Sequence, residues 1–154
     1  MALSELFIEQ IHGLLPENEA SALIKSLGES DPSVSVRINS VKCDKTPTEN
    51  LVPWCNRGFY LDQRPQFTFD PALHAGCYYV QDASSMFLAH AINLLVNKDE
   101  PVRYLDLCAA PGGKTTTAID ALPAGSLVVA NEIMSNRAQI LKENLIKWGN
   151  PNCV

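Results

Sequence analysis

The spacing of hydrophobic positions predicts two short helices at the start of the chain. Apolar residues recur every three or four positions, with Ser4 placed to cap the first helix. Pro16 separates this segment from a second one, and Gly28 stands where a helix commonly ends. The apolar positions are Phe7, Ile8, Ile11, Leu14 and Leu15, then Ala20, Leu23, Ile24 and Leu27. We therefore expect a helical hairpin, followed by a turn at Asp31-Pro32.

The alternation of apolar and polar residues over positions 33–39 predicts a half-buried β-strand. Val34, Val36 and Ile38 share one face, and Arg37 and Asn39 share the other. An ordinary solvated face is the expected role of that pair, and contact with a substrate phosphate or base is the alternative. Positions 42–72 contain four prolines and scattered aromatic residues, which predict short strands and loops. These aromatics are expected to form a small core, although they could instead stack on bases.

A β-rich run at positions 76–81 precedes a helix that Asp82 or Ser84 could cap. The helix has an expected buried stripe of Phe87, Leu88, Ala91, Leu94 and Leu95. We place a domain boundary just before this region. The prediction is a small α+β domain over residues 1–74 and a second domain over residues 75–154.

From position 103 onward, strands alternate with helices. The pattern predicts a strand at 103–107, a helix near 115–122, a strand at 126–131, and a helix ended by Gly149. Such alternation is typical of an α/β fold with a parallel, doubly wound sheet. Residues 152–154 would begin a third strand, so we expect this chain to be part of a longer protein unless partner chains complete the sheet. An unpaired sheet edge makes self-association plausible.

Composition and charge narrow the class of protein. The 154 residues are 46% hydrophobic and 19% charged, which is typical of a globular domain. A net charge of −5 argues mildly against a surface that grips nucleic acid on its own. The five cysteines form no C-x-x-C pair, and His12 and His74 have no partner at metal-ligand spacing, so no metal site is expected. No leader or membrane segment is apparent, and we expect a cytoplasmic protein.

The stretch from Asp106 to Thr115 predicts a strand, a glycine loop and a helix start, a geometry that can cradle an anionic ligand. A phosphate-binding loop of the form G-x-x-x-x-G-K-[ST] is a minority interpretation, because Cys108 occupies the first glycine position. The G-x-G-x-x-G dinucleotide pattern is absent. An S-adenosylmethionine site fits better, since Glu132 lies 20 residues past Gly112, where a carboxylate reaches ribose hydroxyls. Asp106 could orient the loop, meet the ammonium of the ligand, or act only as a cap.

Several segments together resemble the RNA cytosine-5 methyltransferases, in particular the bacterial 16S ribosomal RNA branch. The resemblance is strongest at Asp106-Leu107-Cys108-Ala109-Ala110-Pro111-Gly112-Gly113-Lys114-Thr115 and continues at Asn131-Glu132-Ile133 with Arg137. Upstream it includes Val36-Arg37-Ile38-Asn39, Val52-Pro53-Trp54-Cys55 with Gly58-Phe59-Tyr60, and Tyr78-Tyr79-Val80-Gln81-Asp82 with Ser84-Ser85. The fold that the resemblance implies is an incomplete Rossmann-like methyltransferase sheet behind a small N-terminal domain that faces RNA.

The resemblance also implies roles for particular residues. The loop residues Cys108, Ala109, Ala110, Pro111, Gly112, Gly113 and Lys114 would hold S-adenosylmethionine, Glu132 would hold its ribose, and Gln81 to Ser84 would lie near its methionine end. The RNA partner would be 16S ribosomal RNA. In this family, a cysteine adds to C6 of cytosine and a second cysteine assists release.

No Pro-Cys-Ser-like segment occurs in this sequence, so no catalytic residue is expected here and the chain alone should be inactive. A non-catalytic cofactor- or RNA-binding module stays open as an alternative.

Overall fold

The computed structural model describes residues 3–29 and 32–154, and it begins with a helical hairpin. Helix α1 spans Glu5–Leu14 and helix α2 spans Glu17–Glu29. Ser4 caps α1 as predicted, since its side chain accepts a hydrogen bond of 3.3 Å from the Phe7 N–H. The predicted hairpin is therefore confirmed.

Two details of this region differ from the prediction or fall outside it. Gly28 lies within α2, which continues to Glu29, so the predicted C-terminal cap at Gly28 is wrong. Glycine tolerates a helical conformation as well as a left-handed one, and its presence alone does not end a helix. The turn predicted at Asp31-Pro32 begins at a residue outside the described part of the chain.

The next segment forms a four-stranded antiparallel sheet in the order β2-β3-β1-β4. The central strand β1 pairs Val36 with Phe59 on one side and with Val80 on the other. A short 3-10 helix, Phe67–Phe69, and a four-residue helix α3, Pro71–His74, connect β3 to β4. The strands are β1 (Val34–Ile38), β2 (Leu51–Val52), β3 (Cys55–Leu61) and β4 (Tyr78–Val80). Short strands among the prolines are confirmed.

The aromatic residues of this region form small cores, as expected. Phe59 is buried with Val36 and Ile38, and Phe67 and Tyr78 pack against that cluster. Trp54 packs against a second cluster, and its indole N–H donates to the Ala83 carbonyl at 2.6 Å. Phe69 is the exception, because it is 79% exposed. Most of these rings are therefore engaged in packing and are not free to stack on bases.

Helix α4 spans Ala83–Leu95, with Asp82 at the N-cap position. The predicted buried stripe is wrong in phase. The buried residues are Ala83, Met86 and Ile92, whereas Phe87, Leu94 and Leu95 are 52%, 72% and 85% exposed. This helix is apolar around most of its circumference, so the sequence pattern alone does not select which face packs.

The last third of the chain forms a strand–helix–strand–helix unit. Strand β5 (Arg103–Asp106) pairs in parallel with β6 (Leu127–Ala130), and helices α5 (Gly113–Ala121) and α6 (Ser135–Trp148) follow them. Gly149 ends α6 with a φ of 85°. Cys153 bridges Val128 in parallel, so residues 152–154 add to the free side of β6. The predicted α/β alternation and the start of a third strand are confirmed.

Tertiary contacts divide the chain into two compact units, Met1–Ser33 and Val34–Val154. The second unit contains both sheets. Strand β4, assigned by sequence to the second domain, pairs with β1, assigned to the first. The boundary between residues 74 and 75 stays a prediction. Across the described ranges, the structure contains no helix that is both long and apolar enough to cross a membrane.

Candidate cofactor-binding site

The glycine loop links the end of β5 to the start of α5. Asp106 ends the strand, and Gly112 takes a left-handed conformation with a φ of 110° immediately before the helix. A Cβ at Gly112 would lie 3.3 Å from Leu141 Cδ1, so a side chain here would press on the packed face of α6. The Gly112 N–H donates to the Ala109 carbonyl at 2.8 Å, which closes a tight turn. Glycine at this position meets both a conformational and a packing requirement.

Backbone hydrogen bonds fix the loop to the end of β6. The Ala109 N–H donates to the Asn131 carbonyl at 2.9 Å, and the Asn131 N–H donates to the Asp106 carbonyl at 2.8 Å. The Asn131 side chain adds a third link by donating to the Leu107 carbonyl at 2.9 Å. The two strand ends therefore support the loop together, at the carboxyl edge where parallel α/β sheets bind ligands.

Side chains from α6 and β4 hold the carbonyl groups of the loop. Arg137 donates to the Ala110 carbonyl at 2.8 Å, and Asn144 donates to the Pro111 carbonyl at 2.8 Å. The Tyr79 hydroxyl also donates to the Pro111 carbonyl, at 3.1 Å. Burial raises the pKa of Tyr79, which keeps the hydroxyl protonated and able to donate. The loop carbonyls are thus occupied by the protein.

Asp106 orients the start of the helix. Its Oδ2 accepts a 2.7 Å hydrogen bond from the hydroxyl of Thr115, which is fully buried in the first turn of α5. Of the roles considered from the sequence, this contact supports that of orienting the loop. A role toward the ammonium of a ligand stays a prediction.

A cavity of 240 Å³ lies over the loop and brings together most of the predicted site. One side consists of the predicted cofactor residues, and the other consists of residues at the end of β4 and the start of α4. The lining residues are Cys108, Ala109, Ala110, Pro111, Gly113 and Lys114, facing Tyr79, Val80, Gln81, Asp82 and Ser85. The structure therefore places Gln81 and Asp82 beside the loop, where the resemblance had put the methionine end of the ligand.

Glu132 lies apart from this cavity. Its side chain is 4% exposed, with one carboxylate oxygen accepting from the Met134 N–H at 3.0 Å and the other 3.5 Å from Arg137 Nη1. It borders a separate cavity of 660 Å³ between the end of β6, α6 and residues 150–154. These contacts hold the carboxylate at the start of α6. Its role as a ribose ligand stays a prediction.

Arg37 and Asn39 were expected on a solvated face, and that prediction is wrong. Each is 1% exposed. Strand β1 lies between β3 and β4. Its apolar face packs in a cluster with Phe59, and its polar side contacts helices α5 and α6, so both faces of the strand are covered. Local alternation does not report whether a strand is central in its sheet, so this signal was absent from the sequence.

Asn39 and Lys42 bind the C-terminal end of α6. The Asn39 amide donates to the Trp148 carbonyl at 2.9 Å and to the Gly76 carbonyl at 3.1 Å. The Lys42 ammonium donates to the Lys147 carbonyl at 2.5 Å and to the Ala75 carbonyl at 3.0 Å. The last carbonyls of a helix have no partner within the helix, and these two side chains supply one. Asn144 and these helix-end contacts were not found from the sequence.

All five cysteines are reduced in the described chain, and Cys108 is the exposed one. Burial raises the pKa of Cys153, and the nearby Asp106 carboxylate adds to that shift. The Cys153 thiol is therefore held in its protonated, less reactive form. Cys108 lines the cavity over the loop, and its side chain is accessible to solvent.

The parallel strands, the glycine loop and the cavity above it define part of a Rossmann-like α/β fold with a ligand site at its carboxyl edge. The chain belongs to the 16S rRNA methyltransferase RsmB/F family. A family model described as the N-terminal domain of 16S rRNA methyltransferase RsmF matches residues 3–83. A second model, described as 16S rRNA methyltransferase RsmB/F, matches residues 92–154.

Individual relatives agree with this assignment. Ribosomal RNA small subunit methyltransferase F of Photobacterium profundum is 32% identical over 161 residues, covering 96% of this chain and 33% of the relative. A solved methyltransferase homolog protein from Pyrococcus horikoshii is 27% identical with a TM-score of 0.77, covering 99% of this chain and 52% of that one. The chain thus spans about a third of the length of the curated relatives it matches.

A more distant solved structure agrees in fold. It is described as NSun6 from Pyrococcus horikoshii with SFG, and it has a TM-score of 0.75 at 16% identity, covering 98% of this chain and 64% of that one. The described part of the present chain thus has the architecture of these structures in both of its sheets.

Proposed function

We propose that this chain supplies the cofactor loop of an S-adenosylmethionine-dependent enzyme that methylates C5 of cytosine in 16S ribosomal RNA. The single observation that carries the proposal is the 240 Å³ cavity, which joins the glycine loop to Gln81, Asp82 and Ser85. The curated relatives are ribosomal RNA small subunit methyltransferases, which supports the reaction class and the RNA. The curated relatives are bacterial enzymes of ribosomal RNA, which bacteria make in the cytoplasm, and this is the proposed location.

The cavity has the groups that an amino-acid end of a ligand requires. Asp82 offers a carboxylate for an ammonium, and Lys114 offers an ammonium for a carboxylate. The first turn of α5 begins at Gly113, and its N–H groups favour an anionic group at the same edge. The proposed ligand residues are Cys108 to Lys114. Glu132 is the proposed ribose ligand, and to take that role its carboxylate would exchange its contacts with the Met134 N–H and Arg137 for the ribose hydroxyls.

Gly113 allows a test of the space that the proposed ligand would occupy. A Cβ there would lie 3.5 Å from both Gln81 Nε2 and Tyr79 Cε1, so a larger side chain would fill the wall of the cavity. Unlike Gly112, Gly113 needs no left-handed backbone, and its substitution changes space without straining φ.

S-adenosylmethionine, when bound, would supply the methyl group. The residues of this chain would bind and orient it, since none of the five cysteines lies in a Pro-Cys-Ser-like segment. The family chemistry at cytosine needs a cysteine nucleophile, so we propose no catalytic residue in this chain. The 154-residue chain should transfer no methyl group from labelled cofactor to 16S ribosomal RNA, and turnover would contradict this part of the proposal.

Calorimetry with S-adenosylhomocysteine tests the site directly. The unsubstituted chain should bind it, and Gly113→Val should weaken binding by at least about tenfold because the side chain occupies the cavity. Gly13→Val is the matched control, since Gly13 lies in α1 with open space around its Cβ position. Equal affinity of Gly113→Val and the control, or magnesium-dependent ATP binding at the same site, would overturn the proposal.

Alkylation of Cys108 gives a second readout of the same site. Cys108 is exposed and lines the cavity, so iodoacetamide should modify it before the other four cysteines. Saturating S-adenosylhomocysteine should slow this modification by about tenfold or more, with peptide mass spectrometry as the measurement. Unchanged modification at saturation would place the ligand away from the loop.

A further inference from the structure

A buried group of polar side chains joins the antiparallel sheet to the glycine loop. We call it the Arg37 cluster, and its members come from β1, the end of β4, α5 and α6. They are Arg37, Gln81, Thr116, Thr117, Asp120 and Trp148. Arg37 is at the centre and is 1% exposed. A buried guanidinium is costly unless its donors and its charge are matched, so each contact of Arg37 has a consequence.

Every branch of the guanidinium has a partner. Arg37 Nε donates to Gln81 Oε1 at 3.0 Å, Nη2 donates to Thr116 Oγ1 at 2.5 Å, and Nη1 forms an ion pair with Asp120. The fork of an arginine fixes these three partners relative to one another, because its donors lie in one plane. Arg37 therefore holds one residue beside β4 and two residues of α5 in a set arrangement.

Two of these partners also bond the glycine loop. Gln81 Nε2 donates to the Gly113 carbonyl at 3.1 Å, and the Thr116 hydroxyl donates to the Gly112 carbonyl at 2.9 Å. The loop glycines are thus one residue away from Arg37 along two separate hydrogen-bonded paths. Gln81 and Gly113 also line the 240 Å³ cavity.

The charge of Arg37 is balanced within the cluster. Asp120 accepts from the indole N–H of Trp148 at 2.9 Å as well as from Arg37, and the Trp148 ring lies 4.5 Å from the guanidinium carbon. Burial lowers the pKa of Arg37, and the Asp120 carboxylate opposes that shift. Burial likewise raises the pKa of Asp120, and the Arg37 guanidinium opposes that shift, so each member of the pair favours the charged form of the other.

We propose that Arg37 is a positioning residue that sets the carbonyl groups of Gly112 and Gly113 through Thr116 and Gln81. The inference rests on the proposed function insofar as that loop holds the cofactor. Its role is indirect, because Arg37 does not line the cavity over the loop. Loss of the arginine should loosen the loop first and the sheets only afterwards.

Amide hydrogen exchange of the full 154-residue chain tests this order. Arg37→Lys keeps a positive charge near Asp120 but cannot hold three partners in one plane, so amides at 112–117 should exchange about tenfold faster. Amides of β3 should keep their rates. Arg64→Lys is the matched control, because Arg64 is exposed. Equal acceleration throughout 34–154, or none at 112–117, would overturn the proposal.

A gentler pair of variants isolates one path. Thr116→Val removes the hydroxyl with little change in shape and should reproduce the faster exchange at 112–117. Thr116→Ser keeps a hydroxyl and should exchange at the rate of the unsubstituted chain. Where S-adenosylhomocysteine binds the unsubstituted chain, Thr116→Val should weaken that binding by several-fold and Thr116→Ser should not. Failure of the serine variant to restore the exchange rate would contradict the proposal.

The exchange result is independent of the proposed function. A chain that binds no S-adenosylhomocysteine would defeat the proposed cofactor site, while loop-specific exchange in Arg37→Lys would still support the positioning role. Conversely, cofactor binding that Arg37→Lys leaves unchanged, together with unchanged exchange at 112–117, would defeat the positioning role alone.

Discussion

The two sheets of the second unit treat their side chains in opposite ways. The antiparallel sheet buries polar residues, since Arg37 on its central strand and Asn39 directly after that strand are each 1% exposed. The parallel pair β5 and β6 exposes apolar residues on one face, where Leu105 is 57% exposed and Val129 is 38% exposed. These two residues are direct register partners. One sheet has its polar groups enclosed, and the other has an apolar face in contact with solvent.

The difference shows which sheet has its polar groups and both faces satisfied by residues of the described chain. In the antiparallel sheet, every named polar contact of Arg37 and Asn39 is made by a residue of the same unit. The parallel strands have α6 on one face, where Leu145 and Ala130 pack beside Leu141. Parallel sheets are normally covered on both faces. Substitutions that remove the Asn39 or Trp148 contacts of the first sheet should therefore affect stability, and those on the exposed face of the second should affect association.

The largest effect is expected at the contact between the antiparallel sheet and α6. Trp148 is 4% exposed, and its removal leaves a cavity and takes one donor from Asp120. Trp148→Ala should lower the free energy of unfolding by about 3–5 kcal/mol. Urea denaturation should show this, with Ile146→Ala, at a position 68% exposed, changing it by less than about 1 kcal/mol. Similar losses for the two variants would contradict the assigned packing.

A smaller loss is expected at Asn39. Its amide serves the carbonyls of Gly76 and Trp148, and Asn39→Ala leaves both without that donor. The free energy of unfolding should fall by about 2 kcal/mol. The matched control is Asn56→Ala on β3, since Asn56 is exposed, and it should stay within about 0.5 kcal/mol of the unsubstituted chain. An equal effect of the two substitutions would argue against the buried role.

On the parallel sheet, the expected effect is on association. Replacing the register partners Leu105 and Val129 together by threonine keeps strand-compatible residues but removes exposed apolar surface. The free energy of unfolding should change by less than about 1 kcal/mol, and the self-associated fraction in sedimentation velocity should fall. Val41→Thr, at a position 91% exposed outside both sheets, should leave association unchanged. An unsubstituted chain that is monomeric at all concentrations would contradict the prediction.

The smallest effect is a pH dependence at the edge of the antiparallel sheet. The hydrogen bond from the Tyr78 hydroxyl, with a second from the Ala72 N–H, holds the pKa of Asp70 below its usual value. The contribution of the ionised Asp70 carboxylate to the free energy of unfolding is therefore fully present above its unfolded-state pKa of about 4. It is lost as the pH falls through the lower folded-state pKa.

Thermal unfolding of Asp70→Asn tests this sign. The variant should melt below the unsubstituted chain at about pH 6, and the difference should shrink as the pH falls through the folded-state pKa of Asp70, where the carboxylate becomes protonated in the folded chain as well. Asp44→Asn, in an exposed loop, is the control for removal of a carboxylate. A difference that persists unchanged under the acidic condition would show that the contact does not depend on ionisation.

The sequence predicted the elements better than their surroundings. Gly149 after a periodic apolar segment predicts the end of α6, and its φ of 85° agrees, because that signal is local. The loop residues at Asp106 to Thr115 were recognised for the same reason. The burial of Arg37 depends on partners 44 to 83 positions away, and no local pattern reports them. The prediction of which face of α4 is buried was wrong because nearly every side of that helix is apolar.

The separation of Asn39 from its partner also bears on the order in which the chain is made. The Asn39 amide bonds the carbonyl of Trp148, 109 residues later. At ribosomal rates of roughly 5–20 residues per second, about 5–20 s pass between synthesis of the two residues. Until the end of that interval, the Asn39 amide lacks one of its two native acceptors, since only the Gly76 carbonyl has been made. The strand that emerges first in this unit is therefore completed only when its last helix has been made.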